Sequence, residues 1–69
     1  MRWMETGKGS KGSVFVRSDG VVCKAIKRGK TRGGLQIWNL KVITKSGKIK
    51  SRTVYLKKRS ELRDVLKTI

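Results

Sequence analysis

Two β-branched segments in the first half of the chain predict a β-hairpin. In "SVFVRSDGVVCKAIKR" these segments are separated by Ser18-Asp19-Gly20. An Asp-Gly turn between such runs is a strong hairpin signal. We therefore predict strands at roughly 13–18 and 21–29. Cys23 and Ala25 alternate onto one face and suit tight packing, so Cys23 is interpreted as a small buried hydrophobe rather than a reactive thiol.

A second hairpin is predicted over residues 35–56, "LQIWNLKVITKSGKIKSRTVYL", with its turn at Ser46-Gly47. A two-residue turn there would place Lys41 opposite Arg52 and Lys45 opposite Lys48. Like charges directly opposite on a sheet repel each other. This arrangement therefore needs a reason, and a bound polyanion would supply one.

The same register predicts the two faces of the second hairpin. One face would be basic near the turn and apolar at its base, where a second subunit could pack on Leu35, Ile37, Val54 and Leu56. The other face would be apolar and would need a cover. That face would carry Trp38, Leu40, Val42, Ile49 and Tyr55.

The last segment, "SELRDVLKTI", predicts the cover. Its apolar residues fall at i, i+3, i+4 and i+7, one face of a short helix, with Ser60 as its N-cap. These residues are Leu62, Val65, Leu66 and Ile69. A helix this short must pack to be stable. The predicted fold is α+β, a four-stranded curved antiparallel sheet followed by one C-terminal helix (ββββα).

Residues 1–12, "MRWMETGKGSKG", predict a flexible basic arm, because Gly, Lys and Ser dominate and no apolar period is present. Residues 13–69 would then form the folded binding domain. Trp3 could either pack on that domain or stack on a base. The Gly-rich segment "GKTRGG", residues 29–34, carries Lys30 and Arg32, and is either a phosphate-contacting hairpin tip or a solvated loop.

Charge narrows the function. The chain has 69 residues with 19 Lys and Arg against 4 Asp and Glu, a formal charge of +15. Such an excess repels itself unless a polyanion neutralises it, which favours a nucleic-acid partner over a merely solubilising surface. A domain this small often needs reinforcement. With one cysteine and no histidine, an internal disulfide or an ordinary zinc site is not available, so homodimerisation is the expected form of reinforcement.

The composition argues against catalysis. Without histidine, paired carboxylates or a phosphate-cradling glycine motif, we predict that the protein is not an enzyme and binds no cofactor or metal. No run has the length of a transmembrane helix, and the first residues lack the apolar core of a signal peptide. An intracellular location is therefore expected, in the cytoplasm of a bacterial host or in a nucleus.

The C-terminal half resembles the transcriptional coactivator family called positive cofactor four. The resemblance lies in "SGK" at 46–48, the Lys-rich strand "KIKSR" at 48–52, "VYL" at 54–56 and the helix that follows Ser60. It implies a whirly-like ββββα homodimer that binds single-stranded DNA with little sequence preference and favours melted duplex. Phage or bacterial relatives would serve replication, recombination or repair, alongside replication or transcription proteins as partners.

The resemblance also implies the binding residues. Lys41 lies near the family's basic residue in the third strand, and Lys50 and Arg52 lie in its basic fourth strand. The residues that correspond to its basic second strand and tip are Lys24, Arg28, Lys30 and Arg32. With the two lysines of the second turn, the predicted nucleic-acid-binding residues are Lys24, Arg28, Lys30, Arg32, Lys41, Lys45, Lys48, Lys50 and Arg52. Two alternatives remain: a duplex-binding sheet-plus-helix domain of the integrase type, and an rRNA-associated structural protein.

Overall fold

Five antiparallel strands follow one another along the chain and pair in the same order, so that they form a single meander sheet. The computed structural model describes residues 2–69. The strands are β1 (Trp3–Lys8), β2 (Gly12–Arg17), β3 (Val22–Lys30), β4 (Gln36–Ile43) and β5 (Ile49–Leu56). A 3-10 turn (Arg59–Glu61) leads into the short helix α1 (Leu62–Leu66). The predicted α+β class with a C-terminal helix is confirmed, but the sheet has five strands instead of four.

The additional strand is β1, which occupies residues for which a flexible arm was predicted; Met1 lies outside the described residues. β1 pairs with β2, with a bulge between Glu5 and Gly7. Its anchor is Trp3, which is half-buried and donates a hydrogen bond of 3.1 Å from Nε1 to the carbonyl oxygen of Leu66. Packing, rather than base stacking, is therefore the role of Trp3. The Gly- and Lys-rich composition concealed this strand, which is held by its pairing with β2 and by the contact of Trp3 with the end of α1.

Three of the hairpin turns share one geometry. In each, a glycine with positive φ occupies the third loop position: Gly20 (φ 94°), Gly34 (φ 86°) and Gly47 (φ 90°). The glycine N–H donates to the carbonyl of the last residue before the loop. This is the pattern of a type I turn followed by a left-handed residue, which closes a three-residue hairpin loop.

This geometry corrects the predicted register of the second hairpin. A two-residue turn of the favoured hairpin type needs positive φ at both Ser46 and Gly47, and within residues 2–69 only glycines have positive φ. The loop therefore contains residues 45–47, and Lys41 pairs with Ser51 instead of Arg52. Shifting a strand by one residue moves all its side chains to the opposite face. Every side chain of β5 thus lies on the face opposite to the one predicted.

The core forms between α1 and one face of the sheet, which we call the helix face. The predicted members Trp38, Leu40 and Val42 are buried there, with Cys23 and Ala25 beside them. Ile49 and Tyr55 were also expected there, and this was wrong. They are 59% and 58% exposed on the other face. Val54 and Leu56 replace them, because the register shift turns these two side chains towards the helix.

The helix packs as its periodicity predicts. Leu62 and Leu66 are buried, while Val65 and Ile69 are partly buried against the same core. The predicted N-cap was wrong, since Ser60 lies inside the 3-10 turn and neither this turn nor α1 has a side-chain cap. Instead, the Glu61 carboxylate accepts a hydrogen bond of 2.8 Å from the backbone N–H of Lys57.

The four residues predicted as a dimer interface do not form one surface. Leu56 is buried in the core and Val54 packs against it on the helix face. Ile37 pairs with Tyr55 on the opposite face of the sheet, and Leu35 lies just before β4. The homodimer itself therefore remains a prediction without this interface. No helix within residues 2–69 is both long and apolar enough to cross a membrane.

Candidate nucleic-acid interface

The sheet face that points away from α1, which we call the outer face, remains open to solvent. It consists of alternate residues: 4 of β1, 14 and 16 of β2, 22, 24, 26 and 28 of β3, 37, 39, 41 and 43 of β4, and 49, 51, 53 and 55 of β5. Four large apolar or aromatic side chains on it are strongly exposed: Met4 (70%), Ile26 (45%), Ile49 (59%) and Tyr55 (58%). An open apolar face of this kind is a candidate binding surface.

Two lysines lie opposite each other near the middle of the outer face. Lys24 of β3 pairs directly with Lys41 of β4, and both residues are exposed. Directly opposite residues on a sheet have Cβ atoms about 5 Å apart, where like charges are destabilising. Ser51 follows Lys41 in the same row, on β5. The predicted facing pairs Lys41–Arg52 and Lys45–Lys48 are therefore wrong, and the facing cations of this sheet are Lys24 and Lys41, on β3 and β4.

A bulge in β3 adds a third cation. The register shifts between Lys27 and Gly29, so Arg28 and Gly29 together lie opposite Ile37. A bulge of this kind places two residues of one strand against one residue of its partner. Arg28 therefore continues the alternation of Lys24 and Ile26 on the outer face, and it is exposed. The cations of this face are thus Lys24, Arg28 and Lys41.

The acidic residues all lie elsewhere. Asp19 is in the β2–β3 turn, where hydrogen bonds from the Arg17 guanidinium hold the pKa of its carboxyl below the ordinary value. Asp64 is 3.9 Å from Lys67 beside α1. Glu61 caps the backbone of Lys57, and Glu5 lies on the helix face of β1. The outer face therefore attracts anions without local competition from carboxylates.

The remaining predicted cations lie outside this face. Lys45 lies in the β4–β5 turn and Lys48 directly follows it, whereas Arg32 lies at the opposite end in the β3–β4 loop. Lys30 pairs with Gln36 on the helix-face side of the sheet. The structure therefore brings Lys24, Arg28 and Lys41 together and separates the other six predicted residues from them.

Lys50 and Arg52 are the clearest correction among the predicted site residues. Their partners in the sheet are Val42 and Leu40, so both side chains lie on the helix face. With Thr68 and Ile69 they border a notch of about 330 Å³ beside the end of α1. They therefore cannot share a surface with Lys41, although the sequence pattern placed all three on one face.

The pattern also missed the uncharged part of the outer face. Tyr55 and Ile49 were assigned to the face that the helix covers. A usable signal was present in the sequence: glycine occupies the third position of the loops "SDG", "RGG" and "KSG". A three-residue loop ending in glycine would have predicted the correct register, and with it the exposure of Tyr55.

Other concave or nucleophilic features offer weaker sites. The cleft of about 620 Å³ between β1 and α1 is bordered by Asp64 as well as Arg63 and Lys67, so it does not present charge of one sign. Burial raises the pKa of the Cys23 thiol to about 11, which leaves it protonated and inert at neutral pH. Within the described part of the chain, no group of three His, Cys, Asp or Glu residues is placed to hold a metal ion.

The outer face thus combines an aromatic ring, exposed aliphatic side chains and three cations on a rigid sheet. It offers apolar contact area in the same plane as charges that suit phosphate groups. Comparison with known proteins found no match among family models, characterised proteins or solved structures. The chemistry of this surface is therefore the main evidence for function.

Proposed function

We propose that this protein binds single-stranded DNA across the outer face of its sheet, with little sequence preference. The observation that carries the proposal is the combination of the facing lysines Lys24 and Lys41 with exposed apolar side chains on one open surface. Lysines attract the phosphates, and the apolar side chains accept base faces. Proteins that bind single strands combine these two elements.

The apolar part of the surface favours a single strand over a duplex. In a duplex the base faces are stacked on each other, so a flat apolar surface can reach only backbone and groove edges. In a single strand the bases are free to lie on an aromatic or aliphatic surface. Tyr55 and Ile26 would gain more contact area from such a strand than from a duplex, which would give their exposure a function.

Weak sequence preference follows from the chemistry of the contacts. Lysine and arginine at phosphates position a strand without reading its bases. Stacking on Tyr55 or aliphatic side chains tolerates every base, since each has a π-face. The resemblance to positive cofactor four supports the same activity, including a preference for melted duplex in transcription, replication or recombination, and a homodimeric assembly. Catalysis is not part of this proposal.

Two double variants with the same change in charge test the proposal. Lys24→Gln with Lys41→Gln removes the facing pair on the outer face, whereas Lys50→Gln with Arg52→Gln removes two cations on the helix face. Each lowers the formal charge of +15 by two. A solubilising charge without a site would make the two variants equivalent. A site on the outer face would make only the first one defective.

The measurement is fluorescence anisotropy of a labelled oligothymidylate across a salt series. Three phosphate contacts predict a slope of log K against log salt near −2, at roughly 0.7 per contact. The Lys24→Gln/Lys41→Gln variant keeps one of these contacts, so its slope should be shallower, about −0.7. It should weaken binding roughly 10- to 30-fold at low salt, since an exposed ion pair contributes up to about 1 kcal/mol. The helix-face variant should bind like the wild type.

Competition at fixed salt separates the alternatives. Oligothymidylate should displace the probe better than duplex of equal length, and a bubble substrate should lie between them. Preference for duplex would favour the integrase-type alternative and contradict the proposal. Co-sedimentation with ribosomes through a high-salt wash, together with stronger binding to rRNA than to single-stranded DNA, would favour the rRNA-associated alternative instead.

A further inference from the structure

A shallow trough lies on the outer face where the β1–β2 hairpin meets β3. Its volume is about 290 Å³, and its walls are almost entirely apolar. We call it the glycine trough, because three of the residues that line it are glycines. Its lining includes Gly7, Gly9, Gly12, Val14, Lys24 and Ile26. Small-molecule pockets span about 300 to 1,000 Å³. The trough therefore suits one flat ring rather than a larger ligand, and the Lys24 side chain borders it.

The backbone does not explain two of these glycines. Gly7 and Gly9 do not have positive φ, so other residues could adopt their conformations. A Cβ atom added at Gly7 would meet only Val14, at an ordinary contact distance of 3.7 Å, and one at Gly9 would meet only the Gly12 carbonyl oxygen at 3.8 Å. Glycine inside a strand weakens it by roughly 0.5–1 kcal/mol relative to alanine. Gly7 therefore carries a cost that packing does not require.

Gly12 differs from the other two. A Cβ atom there would lie 2.8 Å from the backbone oxygen of Ala25, so close contact between β2 and β3 requires glycine. Gly7 lies at the β-bulge of β1, but without positive φ and with room for a Cβ atom the bulge does not require glycine there. A glycine within a strand often marks a bulge or a site where a ligand or another backbone approaches closely. Since no described segment lies over the outer face at this point, a ligand is the better explanation.

We propose that the glycine trough holds one base of the bound strand, with Lys24 at a neighbouring phosphate. This inference rests on the proposed function, because it needs a nucleic-acid ligand. The apolar walls and bare glycine backbone favour the flat face of an aromatic ring. The strand would continue over Lys41 towards Tyr55, across the β-strands. From β2 to β5 this path crosses three strand spacings, about 14 Å, and Tyr55 lies about 13 Å further along β5 from Ser51, the residue opposite Lys41.

The trough makes the β1–β2 hairpin part of the binding surface, although this hairpin contributes no cation to the outer face. Its contribution should depend on the bases and not on salt. Phosphate contacts should show the opposite behaviour, since counterion release makes them salt-dependent. This difference separates the trough from the lysine pair in one set of titrations.

The test uses two oligonucleotides of equal length, oligothymidylate and a fully abasic strand with the same phosphates. Gly7→Val fills the trough, and Gly7→Ala is a milder variant in case the larger side chain impairs folding. Gly33→Val and Gly33→Ala are matched controls, because Gly33 lies in the β3–β4 loop without positive φ and has open surroundings. Thermal unfolding establishes that each variant is folded.

The wild type should bind oligothymidylate about tenfold more tightly than the abasic strand, because stacking on a protein surface contributes substantially per base. Gly7→Val should bind oligothymidylate roughly fivefold more weakly, a loss that corresponds to part of the stacking contribution of one base. Its salt slope and its affinity for the abasic strand should be unchanged. Gly7→Ala should lie in between, and both Gly33 controls should match the wild type.

Two outcomes would overturn the inference, and they are distinguishable. If the wild type binds single strands through Lys24 and Lys41 but Gly7→Val binds oligothymidylate as tightly as Gly33→Val does, the trough holds no base and the proposed function stands. If the wild type prefers duplex, or if Lys24→Gln/Lys41→Gln binds like the wild type, the proposed function fails and the trough inference fails with it.

Discussion

Arg59 joins the helical end of the chain to the β1–β2 hairpin, and its removal should strongly destabilise the fold. Its guanidinium donates to the carbonyl oxygens of Gly9 at 2.7 Å and Gly12 at 2.9 Å, and also to the hydroxyl of Ser13. The same group lies over the Trp38 ring, 5.4 Å from its centroid. Ser13 is only 4% exposed, so Arg59→Ala would leave a buried hydroxyl without this partner.

The size of the effect follows from these contacts. Each of the two partly buried hydrogen bonds contributes roughly 1 kcal/mol, and the exposed bond to Gly9 contributes little. The contact with Trp38 adds about 0.5–1 kcal/mol. Arg59→Ala should therefore lower the free energy of unfolding by about 3 kcal/mol. A domain of this length is stable by roughly 3.5–10 kcal/mol in total, so the loss is a large fraction.

Urea unfolding, followed by tryptophan fluorescence, measures this loss. The midpoint should fall with little change in slope, and Tm should fall by about 12–24 °C, at roughly 4–8 °C per kcal/mol. Lys58→Ala is the control for charge, because Lys58 is exposed and its substitution also removes one positive charge. Arg59→Lys should recover only part of the loss, since an ammonium cannot reproduce the planar array of donors. A loss within about 0.5 kcal/mol of the control would refute the reasoning, because ordinary surface substitutions fall in that range.

Two further predictions concern the turn and the buried thiol. Gly47→Ala should lower the free energy of unfolding by about 1–2 kcal/mol, measured with urea, because an L-residue at this positive φ is strained. Gly33 has no positive φ, so Gly33→Ala should change stability little. Equal losses in the two variants would contradict the assigned turn. Cys23 should react with a thiol reagent only after denaturation. Because burial raises its pKa from 9.0 to about 11, the unfolded chain loses the proton first, and stability should fall as pH rises through that window. Cys23→Ala should lack this component of the pH dependence, and identical profiles would show that the thiol is not buried as described.

The sequence alone determined the elements whose signals are local. The Asp-Gly and Ser-Gly turns located two hairpins, and the spacing of Leu62 and Leu66 predicted the helix and its buried face. Cys23 was correctly predicted to be buried for the same reason, since alternation within one strand requires no knowledge of its neighbours. The excess of positive charge predicts a polyanionic partner independently of any fold, and this stays a prediction.

Tertiary structure decided which residues share a surface. The side-chain period of a strand is two, so one additional loop residue before β5 moved Lys50 and Arg52 to the helix face and exposed Tyr55. Trp3 of β1 likewise contacts Leu66, 63 residues away, which no local pattern reveals. The candidate site arises from pairing between strands. Lys24 and Lys41 lie 17 positions apart in the chain, and only the pairing of β3 with β4 places them side by side.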